Sequence, residues 1–293
     1  MVHRSVRRLT VLALAAVAAL ALPAPAAHAS AQVTGVGATT GIGIDAAQIM
    51  KSAVPAALTA YIQGKGGHAA VMAIDRTTGA TVAINANRTF QTASIVKFDI
   101  LATRLLQTQK AGKTLSSGQK SLAFRMITQS DNNAATALYG ADHGASGVRS
   151  ANKTFGLKDT QPASSWGRTR TTAADQIRLL GAVFKPGGAL NAANQKYMLS
   201  LMSKVEPDQR WGITAAATKA ATGVYVKNGW VEMDAYGHMQ GDNSIGRIVE
   251  PGHDWLVATM SNYNRSDSAG EKLLGNLAAI AVGGLRLQTT PPN

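Results

Sequence analysis

The chain has 293 residues, 45% of them hydrophobic and 5% aromatic, no cysteine, and a formal charge of +13. Without cysteine the fold has no disulfide staple and rests on its core alone. The basic residues are scattered and have few aromatics among them, which argues against a nucleic-acid-binding face. The excess charge suits either contact with anionic wall polymers or headgroups, or solubility alone.

The N-terminus reads as an export signal rather than as fold. Arg4, Arg7 and Arg8 make a basic region, Leu9 to Leu22 an apolar run too short to span a membrane, and Ala27-His28-Ala29 a small-x-small cleavage site. Arg7-Arg8 hints at the twin-arginine route, but Thr10 stands where that signal has a large apolar residue, which favours general secretion. Residues 1–29 are therefore expected to be removed, leaving a mature charge of +10. The product is expected to be secreted, extracellular or wall-associated, monomeric, and without a stable membrane anchor, since no cysteine is present to carry a lipid. Residues 30–44 form a Gly, Thr and Ala-rich leader. A catalytic domain is expected over 45–285, with a sheet lobe at 45–90 and 215–285, a helical lobe at 91–214 and a tail at 286–293.

Asp45 is placed to cap a helix to about Gln63, in which Ile49, Val54, Leu58 and Ile62 recur at helical spacing and Pro55 marks a kink or the true start. Gly64, Gly66 and Gly67 end it. His68–Ile74 and Ala80–Ile84 flank a turn that closes on Gly79, an antiparallel hairpin. From Ser94 to about Gln109 apolar residues cover most of the helix circumference, so this helix is expected to be buried, with Asp99 near its N-terminal end where the dipole favours an acid. Further helices are expected at Leu122–Ile127, Ala134–Tyr139, Val148–Phe155, Ala173–Phe184 and Ala192–Met202, with Leu157–Thr172 irregular. Strands are expected at Tyr225–Val231, His238–Val249 and Trp255–Asn264, and a last helix at Ser266–Val282. The order gives an α+β (α/β) fold: one antiparallel sheet flanked by terminal helices, with an all-helical lobe inserted after the second strand.

A serine and a lysine three apart on a helix share one face, so the amine can take the hydroxyl proton. Three places fit: Ser94…Lys97, Ser117…Lys120 and Ser150…Lys153. Only Ser94 opens a buried helix after a hairpin, and only it comes before Ser130-Asp131-Asn132 at some distance, with Lys227-Asn228-Gly229 later. This ordered set is the motif set of penicillin-recognising serine enzymes. With the stretches Ala70–Lys97 and Met126–Leu138, and with Thr171-Thr172-Ala173-Ala174, the chain resembles the class A serine β-lactamase and penicillin-binding-protein superfamily over about residues 45–285, and the fold implied is the serine β-lactamase/transpeptidase one.

On the chemistry, Ser94 attacks a carbonyl and Lys97 is its base, which requires a lowered amine pKa. Ser130 relays a proton to the leaving nitrogen, Asn132 offers an amide to a substrate amide, and Lys227 supplies charge for a substrate carboxylate. Asp131 is expected to shape its turn. Gly229 belongs to the same substrate-binding motif as Lys227. Asn228 belongs to that substrate-binding motif as well, although it stands where the family has a hydroxyl residue, which leaves one usual carboxylate contact open. The resemblance further implies an oxyanion hole from the backbone N–H groups of Ser94 and Trp230.

The family has a glutamate in its omega loop that positions the deacylating water. Here Thr160–Ala174 contains no Asp or Glu, the loop is shorter, and Ser164, Ser165 and Trp166 fill its middle. The nearest acids are Asp159, which could swing in, and Asp175, expected to pack inside its helix. The Ser94–Ser130 segment is also short, which implies a lower wall and a more open cleft. Three readings are compatible with these residues. The first is an exported enzyme forming an acyl-enzyme on Ser94 and hydrolysing β-lactams or similar amides and esters. The second is a D-alanyl-D-alanine peptidase, an esterase or a slowly deacylating penicillin-binding protein. The third is a non-catalytic wall-binding protein. No metal or cofactor is expected: no histidines pair at His-x-x-x-His spacing, and neither a Gly-x-Ser-x-Gly elbow nor a phosphate loop is present.

Overall fold

The computed structural model describes residues 46–233 and 238–289. The expected signal, leader and Asp45 cap lie outside the described residues, as do the last four positions of the tail. The structure is α+β. A five-stranded antiparallel sheet has the order β2-β1-β7-β6-β5, built from β1 Ala69–Asp75, β2 Thr81–Ile84, β5 Gly223–Met233, β6 Met239–Glu250 and β7 His253–Asn264. A second, two-stranded sheet pairs β3 Thr89–Gln91 with β4 Arg170–Thr172.

The sheet is covered on both faces. Adjacent residues of a strand point to opposite faces. On β7, Trp255 meets Glu250 at the end of β6 and Arg286 of the C-terminal helix α8 (Asp267–Thr289). Its neighbour Leu256 faces Gly181 of α6 (Ala173–Phe184). This two-sided cover explains why seven consecutive β7 residues from Trp255 to Ser261 are buried, where a one-sided sheet would alternate. Helix α1 (Ala46–Gln63) packs along α8. Their approach depends on Gly284, where a Cβ would collide with the Val54 side chain. Pro55 neither starts nor ends α1 but lies inside it.

Between β3 and β5 the chain builds the helical lobe: α2 Val96–Lys110, α3 Ser117–Thr128, α4 Asn132–Ala141, α5 Gly144–Phe155, then α6 and α7 Ala192–Met202. Helix α2 is its axis, with Phe98, Ile100, Leu101 and Leu105 fully enclosed. Asp99 is buried as well. Asn152 of α5 donates to its Oδ2 at 2.9 Å, and burial pushes its pKa up to about 7, so it is a neutral-leaning core acid rather than a dipole-stabilised surface one. Helix α8 runs four residues beyond the domain end expected at 285. Leu285 is buried, and Arg286 reaches Glu250 at 2.8 Å and the Ala216 carbonyl at 3.2 Å, so the start of the expected tail is packed. Among the described residues no helix is long and apolar enough to cross a membrane.

Candidate active site

The site lies where β5 passes the start of α2. The approach to α2 is tied from three sides. Thr92 N–H donates to Thr169 O at 2.8 Å, Gln91 Nε2 donates to Gly167 O at 3.1 Å, and Asn243 of β6 donates to the Gln91 and Thr92 carbonyls. Ala93 then takes φ +45°, a conformation that costs an alanine energy and is sustained by the ties around it. A single 3-10 turn, Ala93–Ile95, carries Ser94 half-exposed at the mouth of α2. Lys97 comes next, on the first turn of α2, and is fully buried.

Four oxygens surround the Lys97 amine. Nζ lies 2.9 Å from Ser94 Oγ, 3.0 Å from Ser130 Oγ, 2.5 Å from Ser130 O and 2.7 Å from Asn132 Oδ1. Burial lowers its pKa to about 8, against an opposing pull from Asp131. Ser130 has φ +57°, a left-handed conformation that turns both its carbonyl and its hydroxyl toward Lys97. Asp131 caps α4 by accepting from Ala134 N–H at 3.0 Å and pairs with Arg125 Nε at 3.0 Å. Those bonds, the Ala134 one first, hold its carboxyl below the usual range. It shapes the turn, as its sequence position suggested.

From the sheet side, Lys227 Nζ donates to the same Ser130 hydroxyl at 3.0 Å and to Asn228 O at 2.8 Å. Lys227 is fully buried, and burial together with the nearby Lys97 charge lowers its pKa well below that of a free lysine. Gly229 is the contact point between β5 and the Ser94 turn: a Cβ there would stand 2.5 Å from Ser94 N and 2.7 Å from Ile95 N. Only a glycine lets the strand come this close. Trp230 is next on the strand, 42% exposed, with Trp211 beside it at 6.3 Å between ring centroids. Asn132 is exposed at the rim.

Asn228 is buried, and its amide nitrogen is taken by the carbonyls of Gln209 (2.7 Å) and Trp211 (3.1 Å). It anchors the loop behind β5 and brings Trp211 to Trp230.

The loop before α6 is ordered around Asp175. This buried carboxylate accepts from Lys158 N, Asp159 N, Thr160 Oγ1 and Arg178. Burial pushes its pKa up, but those four bonds outweigh it and hold the pKa low. Asp175 therefore closes the loop rather than facing Ser94, and Asp159 is exposed. In the loop's middle, Trp166 lays its ring over Lys97, with Nζ 4.9 Å from the ring centroid, and donates Nε1–H to Thr136 Oγ1 at 3.1 Å.

The structure thus brings Ser94, Lys97, Ser130, Asn132 and Lys227 into one hydrogen-bonded cluster, with Gly229 against it. The rival serine–lysine pairs lie elsewhere: Ser117, Lys120, Ser150 and Lys153 are all exposed on α3 and α5. Sequence reasoning missed Asn243 and the β3–β4 pairing, which fix the nucleophile turn through contacts about 150 and 80 positions apart. It saw Trp166 only as an occupant of the loop.

This arrangement has relatives. The sequence model of the Beta-lactamase enzyme family matches residues 53–120 and 102–285. The "Putative lipoprotein LppW" of Mycobacterium tuberculosis is 28% identical over 174 residues, 57% of this chain, and the chain spans 55% of that protein's length. An acyl-enzyme complex of a PBP-A mutant with penicillin G superposes with TM-score 0.70 at 17% identity, over 80% of this chain and 97% of that one. The TLA-1 extended-spectrum beta-lactamase gives 0.70 at 15%, over 80% and 99%. A class A beta-lactamase from Bacteroides cellulosilyticus gives 0.69 at 16%, over 81% and 99%. At these identities the solved structures establish a shared fold, and the match of the family's own sequence pattern over most of the chain shows that the chain belongs to the beta-lactamase enzyme family.

Proposed function

We propose that this chain is an exported serine hydrolase that forms an acyl-enzyme on Ser94 with β-lactams or chemically similar amides and esters. The observation that carries the reading is the buried Lys97 amine, 2.9 Å from Ser94 Oγ and with a pKa near 8. A buried amine with that pKa has a neutral fraction at physiological pH and can serve as a base. Ser94 Oγ bonds to the substrate carbonyl carbon as its proton passes to Lys97 Nζ. The oxyanion forms beside the Ser94 and Trp230 N–H groups. Losing one such donor typically costs about 2.7–4 kcal/mol of barrier. The carbon–nitrogen bond then breaks, and the nitrogen takes the Ser130 hydroxyl proton, which Lys97 replaces. Lys227, which shares Ser130 Oγ, balances the charge of a substrate carboxylate, and the Asn132 amide N–H₂ meets a substrate carbonyl. Asn228 acts through the loop it anchors, not by touching substrate.

The test is an intact mass after incubation with a penicillin. One adduct per chain is expected, absent in Ser94→Ala. A folded wild-type protein without an adduct, or an adduct that persists in Ser94→Ala, ends this reading.

The loop favours a second reading of the release step. Thr160–Ala174 offers no carboxylate, and Asp175 is committed to backbone and Arg178. That combination suits a peptidase, an esterase or a penicillin-binding protein with slow release better than rapid β-lactam hydrolysis. A chromogenic cephalosporin separates them: a stoichiometric burst without sustained turnover supports slow release, and continuous turnover supports a β-lactamase.

A further inference from the structure

We propose that Trp166 is a lid over the Lys97 side of the cleft that keeps hydrolytic water from the acyl-enzyme, so that this one residue sets the lifetime of the Ser94 ester. The inference rests on the reading of Ser94 as the acylated residue.

Release requires a water oxygen to bond to the acyl carbon while the carbon–Oγ bond breaks. One water proton must reach Ser94 Oγ through a base, and the acid formed then gives up its proton to solvent. Lys97 is the base within hydrogen-bond distance of Ser94 Oγ. Its polar neighbours, Ser130 and Asn132, occupy one side. The Trp166 ring occupies another, 4.9 Å from Nζ. An aromatic face offers water no strong acceptor, and excluding water from a site removes a reactant as well as a solvent. A cation–π contact further holds the ring against the amine whenever the amine is charged.

The lid is fixed, not merely present. Trp166 Nε1–H donates to Thr136 Oγ1 at 3.1 Å, and that hydroxyl donates to Asn132 O at 3.0 Å on α4, the helix that Asn132 opens. Tyr139 OH holds the Ala163 carbonyl at 2.6 Å, and Gln91 Nε2 holds the Gly167 carbonyl at 3.1 Å, one on each side of the tryptophan. The ring is thus pinned at its indole nitrogen and at both flanks of its backbone. Ser94 is itself half-exposed, whereas Lys97 is fully buried, so the lid is proposed to act on release and not on acylation.

The experiment uses the full chain and a fluorescent penicillin, with formation of the adduct and its decay after a chase measured separately by gel and intact mass. Trp166→Ala is expected to shorten the adduct lifetime by about tenfold or more while acylation stays within about threefold, a loss of ~1.4 kcal/mol confined to the release barrier. Trp166→Phe and Thr136→Val both remove the Nε1–Oγ1 bond yet keep a ring above Lys97. Each is expected to shorten the lifetime by about threefold. An adduct that forms on Trp166→Ala and lasts as long as on wild type overturns the inference and leaves the acyl-enzyme reading standing. So do acylation and release that fall together, the mark of a purely structural residue. A wild-type protein that takes no adduct overturns both. Should Trp166→Ala lack a cooperative melt, the other two variants decide: shortened lifetimes support the lid, and unchanged ones refute it.

Discussion

In the proposed mechanism the pH dependence of acylation is set by Lys97. Its folded pKa near 8 lies below the 10.5 of a free lysine because burial disfavours the ammonium, and the charge of Asp131 only partly offsets this. The base is the neutral amine, so activity grows as pH rises through the folded pKa. With a pKa of about 8, the neutral fraction is roughly 1% at pH 6, 9% at pH 7 and half at pH 8. The second-order acylation rate should therefore climb about tenfold from pH 6 to 7, about fivefold from 7 to 8, and at most about twofold beyond. A lysine left in water would instead keep gaining about tenfold per unit through pH 9. Stopped-flow measurement with a fluorescent penicillin between pH 6 and 9.5 separates the two curves. Lys97→Arg, whose guanidinium stays charged, should lose about 10²–10⁴-fold at every pH. A flat profile, or a midpoint near 10, would refute Lys97 as a buried, neutral base.

The remaining predictions concern the scaffold. Gly229→Ala forces β5 off the nucleophile turn, since backbone nitrogens stand 2.5 and 2.7 Å from the new Cβ, and acylation should fall about 10²-fold, with a stability loss of roughly 1–3 kcal/mol in urea titration. Asp175→Ala strands Lys158 N–H, Asp159 N–H and Arg178, and should cost on the order of 3 kcal/mol, with limited proteolysis opening the 156–170 loop first. Asp142 is fully buried, its carboxylate oxygens lack hydrogen bonds, and Arg104 Nε stands 3.5 Å away; burial raises its pKa to about 8. Asp142 therefore holds a proton in the fold that it has lost in the unfolded chain between about pH 4 and 8, so its contribution to stability declines as pH rises across that window by up to ~1.4 kcal/mol per unit and levels off above it. Asp142→Asn should make that decline shallower when melting is followed from pH 5 to 9, with the share of Asp99 and Asp242, both raised to about 7, remaining.

How far the sequence could be read depended on the range of the interaction. The α2 helix and strands β1, β6 and β7 announced themselves through local periodicity, because each buries a face or a circumference that its own residues define. The site residues could be ranked because three motifs occurred in one order, although Ser94…Lys97 looked no different from two surface pairs. What stayed hidden was non-local. Nothing near Asn243 says that its amide will hold the carbonyls of Gln91 and Thr92, and three-residue strands such as β3 and β4 are too short for a period to show. Of the two roles open to Pro55, the helix start is ruled out by its place inside α1: a proline removes one helix hydrogen bond, and the packing of α1 on α8 outweighs that loss. Asn228 could be recognised as a departure from the usual motif, yet its hold on Gln209 and Trp211 depends on a loop whose path no local pattern gives.

Burial favours the neutral amine of Lys97, and the oxygens around it decide where its protons and lone pair point. An ammonium has three protons and faces four oxygens, so it cannot satisfy all of them as a donor. A neutral amine has two protons and one lone pair. Ser130 O and Asn132 Oδ1 can only accept, and they take the two protons. The other two oxygens are hydroxyls, which can donate, and either Ser94 or Ser130 can fill the lone pair. The carbonyl pair therefore aims the lone pair at the two groups whose protons move in the proposed acylation: Ser94 at the start and Ser130 when the nitrogen leaves. Lys227 biases that choice. By donating to Ser130 Oγ it occupies an acceptor site of that hydroxyl without engaging its proton, which stays free for the leaving nitrogen. In the proposed mechanism burial makes the Lys97 amine basic enough to stay free of a proton, and the left-handed turn at Ser130 orients it, because the backbone carbonyl it swings inward takes one of the two protons that would otherwise compete for Ser94.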